Sequence, residues 1–270
     1  MADKTEYESK RDDVAASDVS RAQMEGRGLF ATLPGGYLIH SLEEFQERPN
    51  RIYENRVFAD VTSLAGYLGR FETDDSVGFA SASSRSINVV IDYHTAEEGS
   101  GGDALPSHGD HLAGFRARYS EPYKAWRDLH SKGGIRQKAA GEFLEDRAQD
   151  VKRPEPADIM DMVMNFEALK KVDFKSSTRL RDGSVQFVYV EETEARGQVT
   201  VPEHLTLFVP VFDGMDPQEI RVRIKFRIEE GRLLFAFEIH DIQTLEDEAF
   251  GRCVDALKVA RPQLMVLNVA

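Results

Sequence analysis

The sequence predicts an α+β protein: a helical middle segment packed on a mainly antiparallel C-terminal sheet, with a flexible N-terminal arm. Apolar residues recur at three- and four-residue spacing through the middle, from Tyr123, Trp126 and Leu129 to Ile159, Met162, Val163, Phe166 and Leu169. From Val172 onward the period shortens to two, most cleanly in the run from Ile220 to Ile228. Residues 1–27 are dense in charge and poor in large apolar side chains, so they cannot build a core alone.

Along the chain, structure is expected to begin near Leu33–Tyr37. Ser41 with Glu44 has capping-box spacing for a short helix that Pro49 stops. Thr62 or Ser63 is placed to cap a helix carrying Leu64, Tyr67 and Leu68. Phe79 and the alternation Ile87, Val89, Ile91 predict two strands around a polar turn, and Glu97–Gly109 reads as an exposed loop. Pro122 sits at the first turn of a helix that Gly133-Gly134 ends, and Ile135, Ala139, Phe143 and Leu144 predict a second helix. Asp182-Gly183 predicts a hairpin between Thr178–Leu180 and Val185–Val190. Leu205–Phe212 is a strand in which Pro210 argues for an edge or a bulge. Glu229-Glu230-Gly231 turns the 220–228 strand into Leu233–Ile239, and a last helix after Thr244 uses Leu245, Phe250, Val254 and Leu257. Residues 28–270 therefore read as one α+β domain after a polar arm of residues 1–27, with 151–157 as an internal subdomain boundary.

Thirty-four Lys and Arg against 47 Asp and Glu give a formal net charge of -13, which disfavours a broad DNA-wrapping surface but not a local basic groove. The single cysteine, Cys253, excludes an intrachain disulfide and fits a reducing compartment. No apolar run approaches the roughly 20 residues of a membrane span, and the N-terminus does not read as a secretory signal. These features predict a protein of the cytoplasm with no membrane partner.

Two constellations carry potential chemistry. Asp92, His94, His108, Asp110 and His111 offer nitrogen and oxygen ligands that a folded-back loop would gather on a divalent metal, or that would serve acid–base catalysis. Their spacing matches no established metal signature, and structural duties are the stronger reading. Period-two spacing places Arg221, Arg223, Lys225 and Arg227 on one strand face, about 6.5–7 Å apart. The bland reading is a solvated face balanced by acidic strands; a subunit surface or a polyanion such as nucleic acid are the alternatives. Other features are weaker. Gly99–Gly102 lacks a phosphate-loop pattern, Ser83-Ser84 and Ser176-Ser177 lie in no nucleophile elbow, and Cys253 reads as an inert buried thiol. Phe115, Tyr119, Tyr123 and Trp126 read as core rather than a base-stacking platform, with Trp126 anchoring a helix to the sheet. No motif implies a cofactor or a small-molecule ligand.

Several segments carry a family resemblance. Ser41–Phe45 with Pro49, Val89–His94, Asp110-His111 with Arg118-Tyr119, Pro122–Trp126, Phe143–Asp146 and Asp182–Phe187 resemble the YfdQ-like family of uncharacterised phage and prophage proteins, over residues about 33–260. The resemblance implies a phage or prophage gene expressed in a bacterial host and a single fold unit, and it brings no established catalytic residues. The expectation is a phage-encoded accessory protein, non-enzymatic and self-assembling into a homo-oligomer. The alternatives are a nucleic-acid-associated accessory using strand 221–227 and a metal-assisted hydrolase using Asp92, His94, Asp110 and His111.

Overall fold

In this computed structural model the structure describes residues 30–31, 40–41, 47–49, 51–96, 104–155, 157–159, 162, 173–179, 181, 185–190, 196–229 and 232–270. The predicted arm of residues 1–27, the Gly99–Gly102 stretch, Asp182-Gly183 and the helix positions Val163, Phe166 and Leu169 lie outside the described residues. The chain divides into two units, residues 1–54 and 55–270. In the first, Phe30–Ala31 (β1) pairs antiparallel with His40–Ser41 (β2). Ser41 faces Phe30 across the ladder, and residues 42–46, where a short helix is predicted, lie outside the described residues.

Strand Glu54–Phe58 (β3) starts at the last residue of the first unit, and helix Val61–Phe71 (α1) follows it in the second. The cap of α1 is Asp60, two or three residues before the predicted Thr62 or Ser63: its carboxylate accepts from the Ser63 amide at 2.7 Å and from the Ser63 hydroxyl at 2.9 Å. Leu64 and Leu68, one turn apart, are buried. Val77–Ser81 (β4) and Ser86–Val90 (β5) form the predicted antiparallel pair. Thr95–Ala96 (β6) pairs with Ala104–Leu105 (β7), and His111–Arg116 (β8) returns beside β5.

Helix Glu121–Ser131 (α2) starts at Ser120, whose hydroxyl accepts from the Tyr123 amide, with Pro122 in the first turn. Past its end, Gly133 sits at φ 66°, where a side chain would be strained. Ile135–Arg136 is a short strand (β9), and helix Gln137–Asp146 (α3) begins after it, so Ile135 is not the helical residue its spacing predicts. A two-residue strand has no period of its own, and pairing to a distant strand decides it.

Val151–Arg153 (β10) precedes Asp173–Arg179 (β11), Val185–Val190 (β12) and Arg196–Val201 (β13), which form a three-stranded antiparallel sheet containing the predicted hairpin. His204–Val209 (β14), Gln218–Glu229 (β15) and Arg232–Ile239 (β16) follow. The chain ends with helix Ile242–Ala260 (α4) and strand Met265–Val269 (β17). Asp241, in a left-handed conformation, precedes α4, so Thr244 is inside the helix rather than at its cap.

Two five-stranded sheets result, ordered β17-β4-β5-β8-β3 and β10-β14-β15-β16-β9. β14 is internal to its sheet; Pro210 falls just past its end, so the missing amide interrupts no ladder and requires no edge. β17 is parallel to β4, a pairing that the prediction lacks. The second sheet buries Leu205, Leu207, Ile220, Val222, Phe235 and Phe237 beneath α2 and α3. Trp126 joins these layers as predicted: its ring meets Phe143 and Phe237 edge-on, and its indole N–H donates to the buried Asp150 at 3.0 Å. The four aromatics read as core divide among elements, with Phe115 in β8, Tyr119 in a bridge to Phe212, and Tyr123 and Trp126 on α2. Among the described residues no helix is long and apolar enough to cross a membrane.

Candidate functional site

Alternation along β15 turns Ile220, Val222 and Ile224 into the core and leaves Arg221, Arg223, Lys225 and Arg227 on the outer face. Cross-strand register then decides what each cation meets. Arg223 lies between His204 of β14 and Glu238 of β16, and its guanidinium reaches Glu203 at 3.3 Å. Lys225 pairs with Glu238 at 2.7 Å. Arg221 is exposed and makes no ion pair with a described residue; it stands opposite Thr206, which in turn stands opposite Arg153 of β10. Phe208, the next outward residue of β14, is 47% exposed, with the Lys152 ammonium 4.8 Å from its ring centroid. Lys152, Arg153 and Phe208 escaped the sequence reading because strand order, and not sequence distance, brings them beside Arg221.

A recess of about 460 Å³ opens at this face, its lining including Glu203, His204, Arg221, Arg223, Glu238 and Asp241. A smaller one of about 230 Å³ lies at Lys225 and Arg227 beside Gly133-Gly134. Burial and the neighbouring Arg221 cation hold the His204 imidazole below the usual histidine range, so at neutral pH it is uncharged. His204 Nδ1 and Arg223 Nε are sealed from solvent with no hydrogen-bond partner. Cationic and anionic side chains both line the recess, an arrangement suited to polar ligands with an anionic group.

The histidine–aspartate constellation is put to structural use. The Asp92 carboxylate accepts from the backbone amides of Asp110 and His111 at 3.1 and 3.0 Å, which pins the returning loop to the end of β5. His111 is buried, shares a 2.7 Å hydrogen bond with Tyr67 and meets Phe71 edge-on. His94 is exposed and accepts from the Ser107 amide, and His108 is exposed. Among the described residues no three His, Cys, Asp or Glu side chains form a group that could hold a metal ion.

A second ionic cluster has no sequence signal. Glu246 of α4, 1% exposed, accepts from Tyr119 at 2.7 Å, Tyr123 at 3.0 Å, Arg127 at 2.8 Å and Arg85 at 2.5 Å. Arg85 reaches it from the β4–β5 turn at φ 50°, and both guanidinium groups lie over the Tyr119 ring. Burial alone raises the Glu246 pKa, but the hydrogen bonds from Tyr119, Arg127 and Tyr123 outweigh it and hold the carboxyl below the usual range. With four donors on one carboxylate, this cluster fastens α4, α2 and the β4–β5 turn together and leaves no oxygen for a ligand. Cys253 is buried, 3.9 Å from the Met215 sulfur, and burial pushes its thiol pKa up, in keeping with an inert residue.

A family model described as Uncharacterized conserved protein (DUF2303) matches residues 3–267. No curated protein and no solved structure matches the chain.

Proposed function

The chain belongs to the DUF2303 family of uncharacterised conserved proteins, and for this member we propose a non-enzymatic accessory role, encoded by a phage or prophage, in which the protein assembles with copies of itself in the host cytoplasm. The observation that carries the self-assembly is β17. This strand, Met-Val-Leu-Asn-Val, has no charge, ends its sheet among the described residues, and leaves Met265, Leu267 and Val269 60%, 45% and 45% exposed. Edge strands normally carry a lysine, a proline or a bulge that prevents pairing; β17 has none of these.

Register extends the apolar surface inward. Met265 faces Val77, which faces Val90, which faces Leu112, all on one side of the sheet. A second copy related by a two-fold axis at Leu267 would continue the sheet antiparallel and set Met265 against Val269 of the other chain, an isologous contact that closes at two. The resemblance to phage and prophage proteins in the stretches quoted above supports the origin, and transcription of the gene on prophage induction tests it.

Light scattering tests the assembly. Wild-type protein should give about twice the 30.4 kDa chain mass, and Leu267→Lys should reduce it to one chain by placing a charge on the pairing edge. A wild-type mass near 30.4 kDa at every concentration would overturn the proposal.

A further inference from the structure

We propose that the outer face of β10, β14 and β15 binds single-stranded nucleic acid, with Arg153 and Arg221 contacting phosphate and Phe208 stacking a base. Charge complementarity on this face is local. Of the cations predicted along β15, Arg223 and Lys225 are engaged by Glu203 and Glu238, so the uncommitted positive charge moves to one end of the strand. There Arg221 and Arg153 flank Thr206 in one cross-strand row, both exposed and neither in an ion pair with a described residue. Two ladder spacings of about 4.8 Å put their backbones roughly 10 Å apart.

Phe208 is the next outward residue after Thr206, so an aromatic ring lies beside the guanidinium row. Lys152, held by Glu219 at 2.8 Å, supports the ring from its ammonium side, and the ring remains 47% exposed. A sheet face that combines guanidinium groups with an exposed ring matches the way single strands are bound, by phosphate contact and sequence-tolerant stacking. On the other side of Arg221 lies the 460 Å³ recess, large enough for a base, with the neutral His204 imidazole and the Glu203 and Glu238 carboxylates on its wall. A duplex hides its base faces from a side chain such as Phe208, and the acidic chain lacks the broad positive field that duplex wrapping requires.

Fluorescence anisotropy with a labelled oligothymidylate of about 16 nucleotides tests the proposal on the full chain. Affinity should fall with salt along a log–log slope of about −1.4, two phosphates at −0.7 each. Arg153→Ala and Arg221→Ala should each weaken binding and lower that slope by about half. Phe208→Ala should weaken binding roughly tenfold with the slope unchanged, while Phe208→Tyr, which keeps the ring, should bind as wild type. Lys258→Ala, an exposed cation on α4, is the control and should change nothing. Absence of binding to single-stranded DNA and RNA at low salt would sink the inference. So would binding that these substitutions leave intact, or a duplex bound as tightly as the single strand. The face lies on a different sheet from β17, so this result and the light-scattering result are independent.

Discussion

Replacing Glu246 with Gln tests whether the buried carboxylate is a structural fastener. The change conserves volume and removes the charge, leaving Arg85 and Arg127 without their carboxylate and two tyrosine hydroxyls competing for one amide oxygen. Removing one partner of a buried pair costs about 3–5 kcal/mol. The arginines are 21% and 36% exposed and regain some hydration, so the lower end, about 3 kcal/mol, applies. In a domain of this size that corresponds to a melting temperature about 6–12 °C lower. Calorimetry and urea unfolding at pH 7 measure it, and a loss below about 1 kcal/mol with an unchanged urea slope would refute the fastener role.

The same cluster gives stability a shape in pH. Because the Glu246 pKa is lowered on folding, its contribution is present above the unfolded carboxylate range and disappears as pH falls through the lower folded value. Tyr119 works in the opposite sense: burial and the Glu246 hydrogen bond push its pKa up from 10 to about 12, so its contribution holds below pH 10 and is lost as pH rises toward 12. Glu246→Gln should therefore flatten the acid limb of the stability profile, and Tyr119→Phe the alkaline limb.

Further outcomes follow from single contacts. Asp60→Ala removes both bonds to Ser63 and should cost about 1 kcal/mol in urea unfolding, because the first turn of α1 loses its cap. Cys253 should be unreactive to a thiol reagent in the native protein and titrate as one thiol after denaturation; fast native labelling would contradict its burial. His204 should titrate by NMR below pH 6.5, and Arg221→Ala should move the midpoint up by removing a neighbouring positive charge.

The sequence discloses those parts of the fold in which a local pattern and its partner are close together. Ile220–Ile228 alternates over enough residues to fix both the strand and its buried face, and the turn after it brings β16 alongside without any distant information. Pro122 similarly announces the first turn of α2. β17 was not legible, because five residues near the C-terminus become a strand only through β4, more than half the chain away. Glu246 was hidden for a related reason: within α4 it reads as one more polar helix position, and its four donors come from three other segments. The Asp92 and His111 cluster shows the converse error available to motif reading. Its residues do come together, but the carboxylate faces backbone amides, and residue type alone does not distinguish a loop pin from a ligand.

The two charge clusters differ in what they contribute, and that difference separates structure from surface chemistry. At Glu246 the donors are bound to a carboxylate that water barely reaches, where losing a partner is expensive. At Arg153 and Arg221 the charges are solvated. Two charges as far apart as these backbones, roughly 10 Å, repel in water by about 0.4 kcal/mol, and less once salt screens them. The chain carries 47 carboxylates, yet no described one lies within ion-pair distance of either guanidinium. Pairing them would add at most about 1 kcal/mol in any case. Stability therefore neither requires these two arginines nor suffers much from them. A phosphate entering the row would interact with both at once and would meet little competition from the protein's own acids. The excess of negative charge elsewhere makes that selectivity sharper, since a polyanion is repelled from most of the surface, whereas Glu219, the acid opposite Phe208 on this face, is already held by Lys152.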